Sequence, residues 1–239
     1  MVKSSFGGEY RDPEARKPTT TGLRKTGKTE PESHEPAPTT NWLVVIPVKG
    51  TPDAKSRFGD GDHTALALAV ALDTVEAALA APGVTGVVVV TSPEAATAFD
   101  QTEALVMLED VPSGLRGAIE LGIETASALG AAGRGTAVLL GDLPALTPAE
   151  LSAALAAAAE HQLAFVPDAE GTGTALITAA DGAVHAPAFG SHSAALHAAA
   201  GYVELELPTT SGLRNDVDTL ERLEQLGDRL GTHTREALR

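Results

Sequence analysis

From Trp42 onward the chain alternates two kinds of apolar segment. Residues 43–46 (LVVI), 86–90 (GVVVV) and 137–140 (AVLL) are short, almost unbroken apolar runs rich in Val. That is the pattern of strands covered on both faces within a parallel sheet. Between them, residues 65–81 and 115–129 carry apolar positions at helical spacing. The alternation predicts βαβ units and hence a doubly wound α/β sandwich of three layers around a mostly parallel sheet. Thr147-Pro148-Ala149-Glu150 supplies a capping hydroxyl, a proline at the first helical position and a glutamate three residues after the cap, so a helix is expected over 151–161. Further strands are predicted at 163–166, 174–177 and 203–207, with helices at 191–200 and 219–230. No internal repeat interrupts this order.

The first forty residues break the pattern. They hold Pro13, Pro18, Pro31, Pro36 and Pro38 among mixed charges and show no apolar period, which predicts a disordered tail at 1–40 ahead of a single domain at 41–239. The tail is almost neutral, so the net charge of −15 over the whole chain becomes −16 over 41–239. Such a surface repels polyanions, and with only 3% aromatic residues it offers little to stack bases on; a nucleic-acid partner is not expected. Small anionic substrates would need a local cationic or metal-filled pocket. The chain has no cysteine, which removes disulfides, thiolate metal sites and thiol catalysis, and leaves oxygen or nitrogen to hold any metal. No apolar run has the length of a membrane span, and the N-terminal residues lack the apolar core of a secretory signal, so a cytoplasmic protein without a membrane partner is expected.

In open α/β sheets ligands gather at the carboxyl ends of the strands, so the polar residues that follow apolar runs are the ones to weigh. Asp142, in Gly141-Asp142-Leu143-Pro144, directly follows one such run. It is either a ligand at the open sheet edge or a loop residue turning the chain toward the Thr147 cap. Asp216 and Asp218 stand two apart, so in extended backbone they share a side and suit a hard cation; alternatively Asp218-Thr219-Leu220-Glu221 is a capping box and Asp216 an ordinary turn residue. Convergence of Asp142 with this pair would favour magnesium, because three carboxylates repel unless a cation neutralises them.

Glu170-Gly171-Thr172-Gly173-Thr174 has the glycines and hydroxyls of a phosphate cradle made from backbone N–H groups. Phe189-Gly190-Ser191-His192-Ser193 precedes a helical stretch, so free N–H groups at the helix start would form a second anion seat, with His192 nearby; in the plainer reading Ser191 is a helix cap. Lys49, Lys55 and Arg57 follow the first strand and are candidate triphosphate contacts, or solvated loop charges, as is Arg214. His161 and His197 read as helix-surface residues.

Taken together, Pro47-Val48-Lys49 with Lys55-Ser56-Arg57, the run Gly141 to Leu146, Gly171 to Leu176, Phe189 to Ser193 and Gly212 to Thr219 resemble the CofC/FbiD family, the guanylyltransferases of coenzyme F-420 biosynthesis. The resemblance spans about residues 42–238. It implies a nucleotidyltransferase-type fold, like that of nucleotide-diphospho-sugar transferases, and Mg2+ held by Asp142, Asp216 and Asp218. It also implies a phosphoenolpyruvate phosphate held by Thr174, Gly190 and Ser193. The implied reaction joins GMP from GTP to phosphoenolpyruvate and releases pyrophosphate, with a downstream transferase as a partner that receives a labile product. One departure falls at Arg116 in Gly114-Leu115-Arg116-Gly117, where the family usually has Asn, and it bears on the contact to guanine. The alternatives are 2-phospho-L-lactate as acceptor, a guanylyltransferase for molybdopterin cofactor, and a nucleotide- or metal-sensing module without turnover.

Overall fold

The computed structural model describes residues 41–48, 63–109, 113–130 and 133–239. The expected N-terminal tail and the loop carrying Lys49, Lys55 and Arg57 lie outside these residues. Seven strands form one sheet: β1 (Asn41–Pro47), β2 (Val84–Thr91), β3 (Leu105–Leu108), β4 (Arg134–Leu139), β5 (Leu163–Pro167), β6 (Thr174–Ala179) and β7 (Val203–Glu204). Their order is β3-β2-β1-β4-β6-β5-β7. All neighbouring pairs are parallel except those made by β6, which runs against both β4 and β5.

The apolar runs divide by alternation into two cores. Trp42, Val44 and Ile46 of β1 pack on one face with Val87 and Val89 of β2 and Ala137 and Leu139 of β4. Leu43 and Val45, with Val88, Val90 and Val138, pack on the other. Helices α1 (Thr64–Leu79) and α4 (Pro148–Ala158) cover the first face, through residues such as Val75, Leu151 and Leu155. Helices α3 (Gly114–Ala128) and α5 (Ser193–Ala199) cover the second, through Ile119 and Ala194. A short helix, α2 (Pro93–Ala96), follows β2. The three-layer sandwich is thus the expected one. Among the described residues, no helix is long and apolar enough to cross a membrane.

The predicted α4 start is present in full: the Thr147 hydroxyl accepts from the Glu150 N–H, and the Glu150 carboxylate accepts from the Thr147 N–H. Two expectations fail. Strand β3 gave no signal, because it is a four-residue edge strand whose residues are exposed or half-buried rather than wrapped on both faces. The closing helix expected over 219–230 is the shorter α6 (Leu220–Leu226), followed by a 3-10 turn at Gly227–Arg229 and then by a helix that was not expected, α7 (Thr232–Ala237). Gly227, at φ 50°, ends α6 in a conformation that a side chain disfavours. The start of α7 is then tied to α1, where the buried Asp73 carboxylate accepts the N–H groups of His233 and Thr234 at 3.0 and 2.8 Å.

Candidate active site

Asp142 lies two residues beyond Leu140, whose N–H is still bonded to the Ala175 carbonyl of β6. The next amide, Leu143 N–H, donates to the buried Thr74 hydroxyl of α1 at 3.1 Å, which fixes the turn. The Asp142 carbonyl in turn accepts from Val217 N–H at 3.0 Å. That bond places Asp216-Val217-Asp218 alongside Asp142, with Val217 fully buried between the two half-buried carboxylates. The capping-box alternative for Asp218 does not hold, since Thr219 is the cap of α6 and its hydroxyl accepts from Arg222 N–H.

The strip from Ser211 to Asp218 is held from both sides. Gly212 N–H donates to the Glu150 carboxylate of the α4 cap at 2.8 Å. A side chain at Gly212 would stand 2.0 Å from the Ala145 carbonyl oxygen, so only glycine permits this approach. Arg214 is not a solvated loop charge. Its Nε and Nη2 donate to the Asp168 carbonyl at 3.1 and 2.7 Å and its Nη1 to the Leu207 carbonyl at 2.8 Å. The Asn215 amide donates to the Thr209 carbonyl and its oxygen accepts from Arg222.

The electrostatic consequence falls on Asp216. Burial, together with the carboxylates of Asp142, Asp218, Asp168 and Glu170, pushes its carboxyl up from 3.8 to about 7. A half-buried carboxylate with acidic neighbours is a hard oxygen donor of the kind that fits a divalent cation. Among the described residues no three His, Cys, Asp or Glu side chains are already drawn into one ligating group, so the carboxylates are neighbours rather than a closed cage.

Thr174, Gly190 and Ser193 assemble differently. Because β6 is reversed, its beginning lies with the carboxyl ends of its parallel neighbours, and Thr174 reaches the functional edge from the start of a strand rather than its end. The loop before it is not the phosphate cradle its glycines suggested. Gly171 N–H donates to the Asp168 carbonyl, and Thr172 and Gly173 N–H donate to its carboxylate at 2.9 and 2.7 Å. The protein's own anion occupies the nest.

The start of α5 is likewise largely committed: Ser193 N–H bonds the Gly190 carbonyl and Ala194 N–H the Thr172 carbonyl. Ser191 is exposed and does not cap this helix. The cap position is His192, exposed, at φ 60° and without a side-chain cap bond. These bonds bring Gly190 and the buried Ser193 against the Thr172 to Thr174 loop.

His197, expected on the helix surface, is fully buried. Its Nε2 accepts from Ala188 N–H at 2.9 Å, and its Nδ1 meets the Thr174 hydroxyl at 2.9 Å. Its ring packs edge-on against Phe189 and Tyr202. A second histidine, His185, donates from Nε2 to the Thr136 carbonyl at 3.1 Å, while its Nδ1 meets the Tyr202 hydroxyl at 3.3 Å. The same hydroxyl accepts from Ala186 N–H at 2.8 Å. Burial lowers both imidazoles from 6.5 to about 4, so both are neutral at ordinary pH. Sequence reasoning missed this pair; the available signal was that His197 stands four residues after Ser193, in an alanine-rich helix with little else to bury.

Arg116, exposed on α3, pairs with Glu120 one turn on at 2.8 Å.

No family model matches the chain. It is 48% identical to a phosphoenolpyruvate guanylyltransferase of Geodermatophilus obscurus over 74% of this chain and 84% of that protein. Against the protein of the same name from Salinispora arenicola it is 46% identical, over 82% of this chain and 92% of that one. Among solved structures, the fold matches a protein assigned as a nucleotide-diphospho-sugar transferase from Desulfovibrio desulfuricans G20, with TM-score 0.61 and 17% identity over 82% of this chain and 93% of that one. It also matches a Mycobacterium tuberculosis H37Rv protein solved with manganese, with TM-score 0.53 and 20% identity over 79% of this chain and 98% of that one. These likenesses establish a nucleotide-diphospho-sugar transferase fold, and the sequence identities establish that the chain belongs to the phosphoenolpyruvate guanylyltransferase family.

Proposed function

We propose that this chain transfers GMP from GTP to the phosphate of phosphoenolpyruvate, giving enolpyruvoyl-2-diphospho-5'-guanosine and pyrophosphate. The observation that carries the reading is the bond from Val217 N–H to the Asp142 carbonyl, which sets Asp216 and Asp218 beside Asp142 at the sheet edge, in a chain 48% identical to a relative of that name. An oxygen of the acceptor phosphate forms the new bond to the α-phosphorus of GTP while the bond from that phosphorus to the β-phosphate bridge breaks. Both reactants are anions, and a negatively charged chain must first let them meet.

Asp142, Asp216 and Asp218 would hold Mg2+, whose chemistry there is to offset the charge on both reactants and favour an in-line arrangement. Thr174, Gly190 and Ser193 hold the acceptor phosphate by hydroxyl and backbone contacts. Lys49, Lys55 and Arg57 are assigned to the triphosphate on the sequence alone. No side-chain nucleophile is needed; positioning and electrostatics supply the rate. A cytoplasmic setting, a place in coenzyme F-420 biosynthesis and handover of the product to a downstream transferase belong to the same reading.

Pyrophosphate release from GTP and Mg2+ with phosphoenolpyruvate or 2-phospho-L-lactate, each alone, tests it. Release with phosphoenolpyruvate is the expected result. Release only with 2-phospho-L-lactate corrects the acceptor, and GTP binding without release from either acid defeats the reading.

A further inference from the structure

Of the buried titratable groups outside the carboxylate cluster, His197 is the one whose hydrogen bonds run directly to a proposed substrate contact. A backbone N–H can only donate, so the bond from Ala188 makes His197 Nε2 an acceptor. A neutral imidazole with Nε2 as acceptor carries its proton on Nδ1. Nδ1–H therefore donates to the Thr174 hydroxyl 2.9 Å away, and that oxygen accepts. A hydroxyl has one proton to give, and with its oxygen accepting from the imidazole, the Thr174 proton is directed away from His197. The opposite tautomer would set the Nδ1 lone pair to draw that proton inward.

We infer that His197 is a positioning residue: locked as the Nδ1–H tautomer by the Ala188 amide, it turns the Thr174 hydroxyl into a dedicated donor toward the acceptor phosphate. This rests on the proposed function, which assigns Thr174 to that phosphate. The same imidazole ties two parts of the acceptor side together, because Ala188 stands two residues before Gly190 and Thr174 begins β6. His185 provides an internal contrast. Its Nε2 faces a carbonyl, which can only accept, so it is the Nε2–H tautomer, with Nδ1 accepting from Tyr202. The buried His197 and the half-buried His185, both meeting Tyr202, thus carry their protons on opposite nitrogens.

Long-range 1H–15N correlation spectra of the histidine-labelled wild-type protein read both tautomers without any substitution. A proton on Nδ1 of His197 and on Nε2 of His185 is expected; a proton on Nε2 of His197 overturns the inference. In steady-state assays, His197→Gln places an amide oxygen toward Ala188 but no donor at the Nδ1 position. It is expected to raise KM for phosphoenolpyruvate about ten-fold, the scale of one hydrogen bond to a charged group. KM for GTP stays unchanged, and the ten-fold effect vanishes in a Thr174→Val background, where no hydroxyl remains to be oriented. Equal rises in both KM values, or a ten-fold effect that persists in the Thr174→Val background, show a merely structural role and overturn the inference. Absence of wild-type turnover with phosphoenolpyruvate defeats the functional reading instead, while the tautomer spectrum still decides how His197 meets Thr174.

Discussion

Two groups of buried or half-buried titratable side chains, one around Asp216 and one linking His197 and His185 through Tyr202, are built in opposite ways. Burial and the charges of four other carboxylates raise the Asp216 carboxyl to about 7. Around His197 and His185 each of the four ring nitrogens has a partner, and both rings are neutral. The first cluster sacrifices stability for a place where charge is wanted; the second uses burial to hold neutral groups in one orientation. Burial therefore goes with a carboxyl raised by like charges in one case and with neutral, fully partnered rings in the other, and the pattern of partners tells them apart.

The sharpest way to break this contrast is Asp216→Asn. Turnover is expected to fall about a thousand-fold, the scale of losing a key electrostatic group. Melting temperature at pH 8 should rise, because a carboxyl raised from 3.8 to about 7 burdens the folded state increasingly as pH climbs through that window and not below it. A variant that loses activity and melts lower would mean that Asp216 is structural. Next comes the bridge between the carboxylate segments: Gly212→Ala drives a methyl into the Ala145 carbonyl and is expected to cost about 3 kcal/mol, read by chemical denaturation.

The histidine cluster predicts the opposite pH trend. Its rings titrate near 4 when folded against 6.5 when unfolded, so the unfolded chain takes up protons first. Their contribution to stability is complete above pH 6.5 and is lost as pH falls toward 4. His185→Gln together with His197→Gln, which removes both titrating rings, should flatten that slope in melting curves taken between pH 7 and 4. The smallest effect is expected at Arg116→Asn, which removes only an exposed pair with Glu120; the melting temperature should stay put, and any change should be confined to the preference for GTP over ATP.

The half of the fold built from β1, β2 and β4 was readable because strands covered on both faces must be apolar throughout, as Leu43 to Ile46 and Val87 to Val90 are. The α4 boundary was readable because capping is local chemistry. What escaped depends on distant partners. The reversal of β6 leaves no mark on its own residues, and it is what carries Thr174 to the functional edge. Asp142 and Asp216 were picked out by position after a run or by spacing, but their adjacency rests on one bond between residues 75 apart in sequence, Val217 N–H to the Asp142 carbonyl. The glycine loop misled because its amides were counted without Asp168, three residues ahead of Gly171, whose carboxylate takes two of them. His197 misled because a histidine on a helix shows its face only when the neighbouring loop is in place.

The reversed strand also sets two differently anchored segments side by side. Asp142 and Asp216 ride on segments that leave or cross the sheet, anchored to α1 and α4 through Thr74 and Glu150. Thr174 sits on a hairpin, β5 to β6, joined by six residues that hold their own shape through Asp168. A hairpin can lengthen, shorten or be exchanged without disturbing crossovers elsewhere. This one also carries Asp168 and Glu170, whose charges act on Asp216, and its Asp168 carbonyl is held by Arg214, so exchanging the loop between relatives alters the surroundings of Thr174 and the charge felt by Asp216 in a single step.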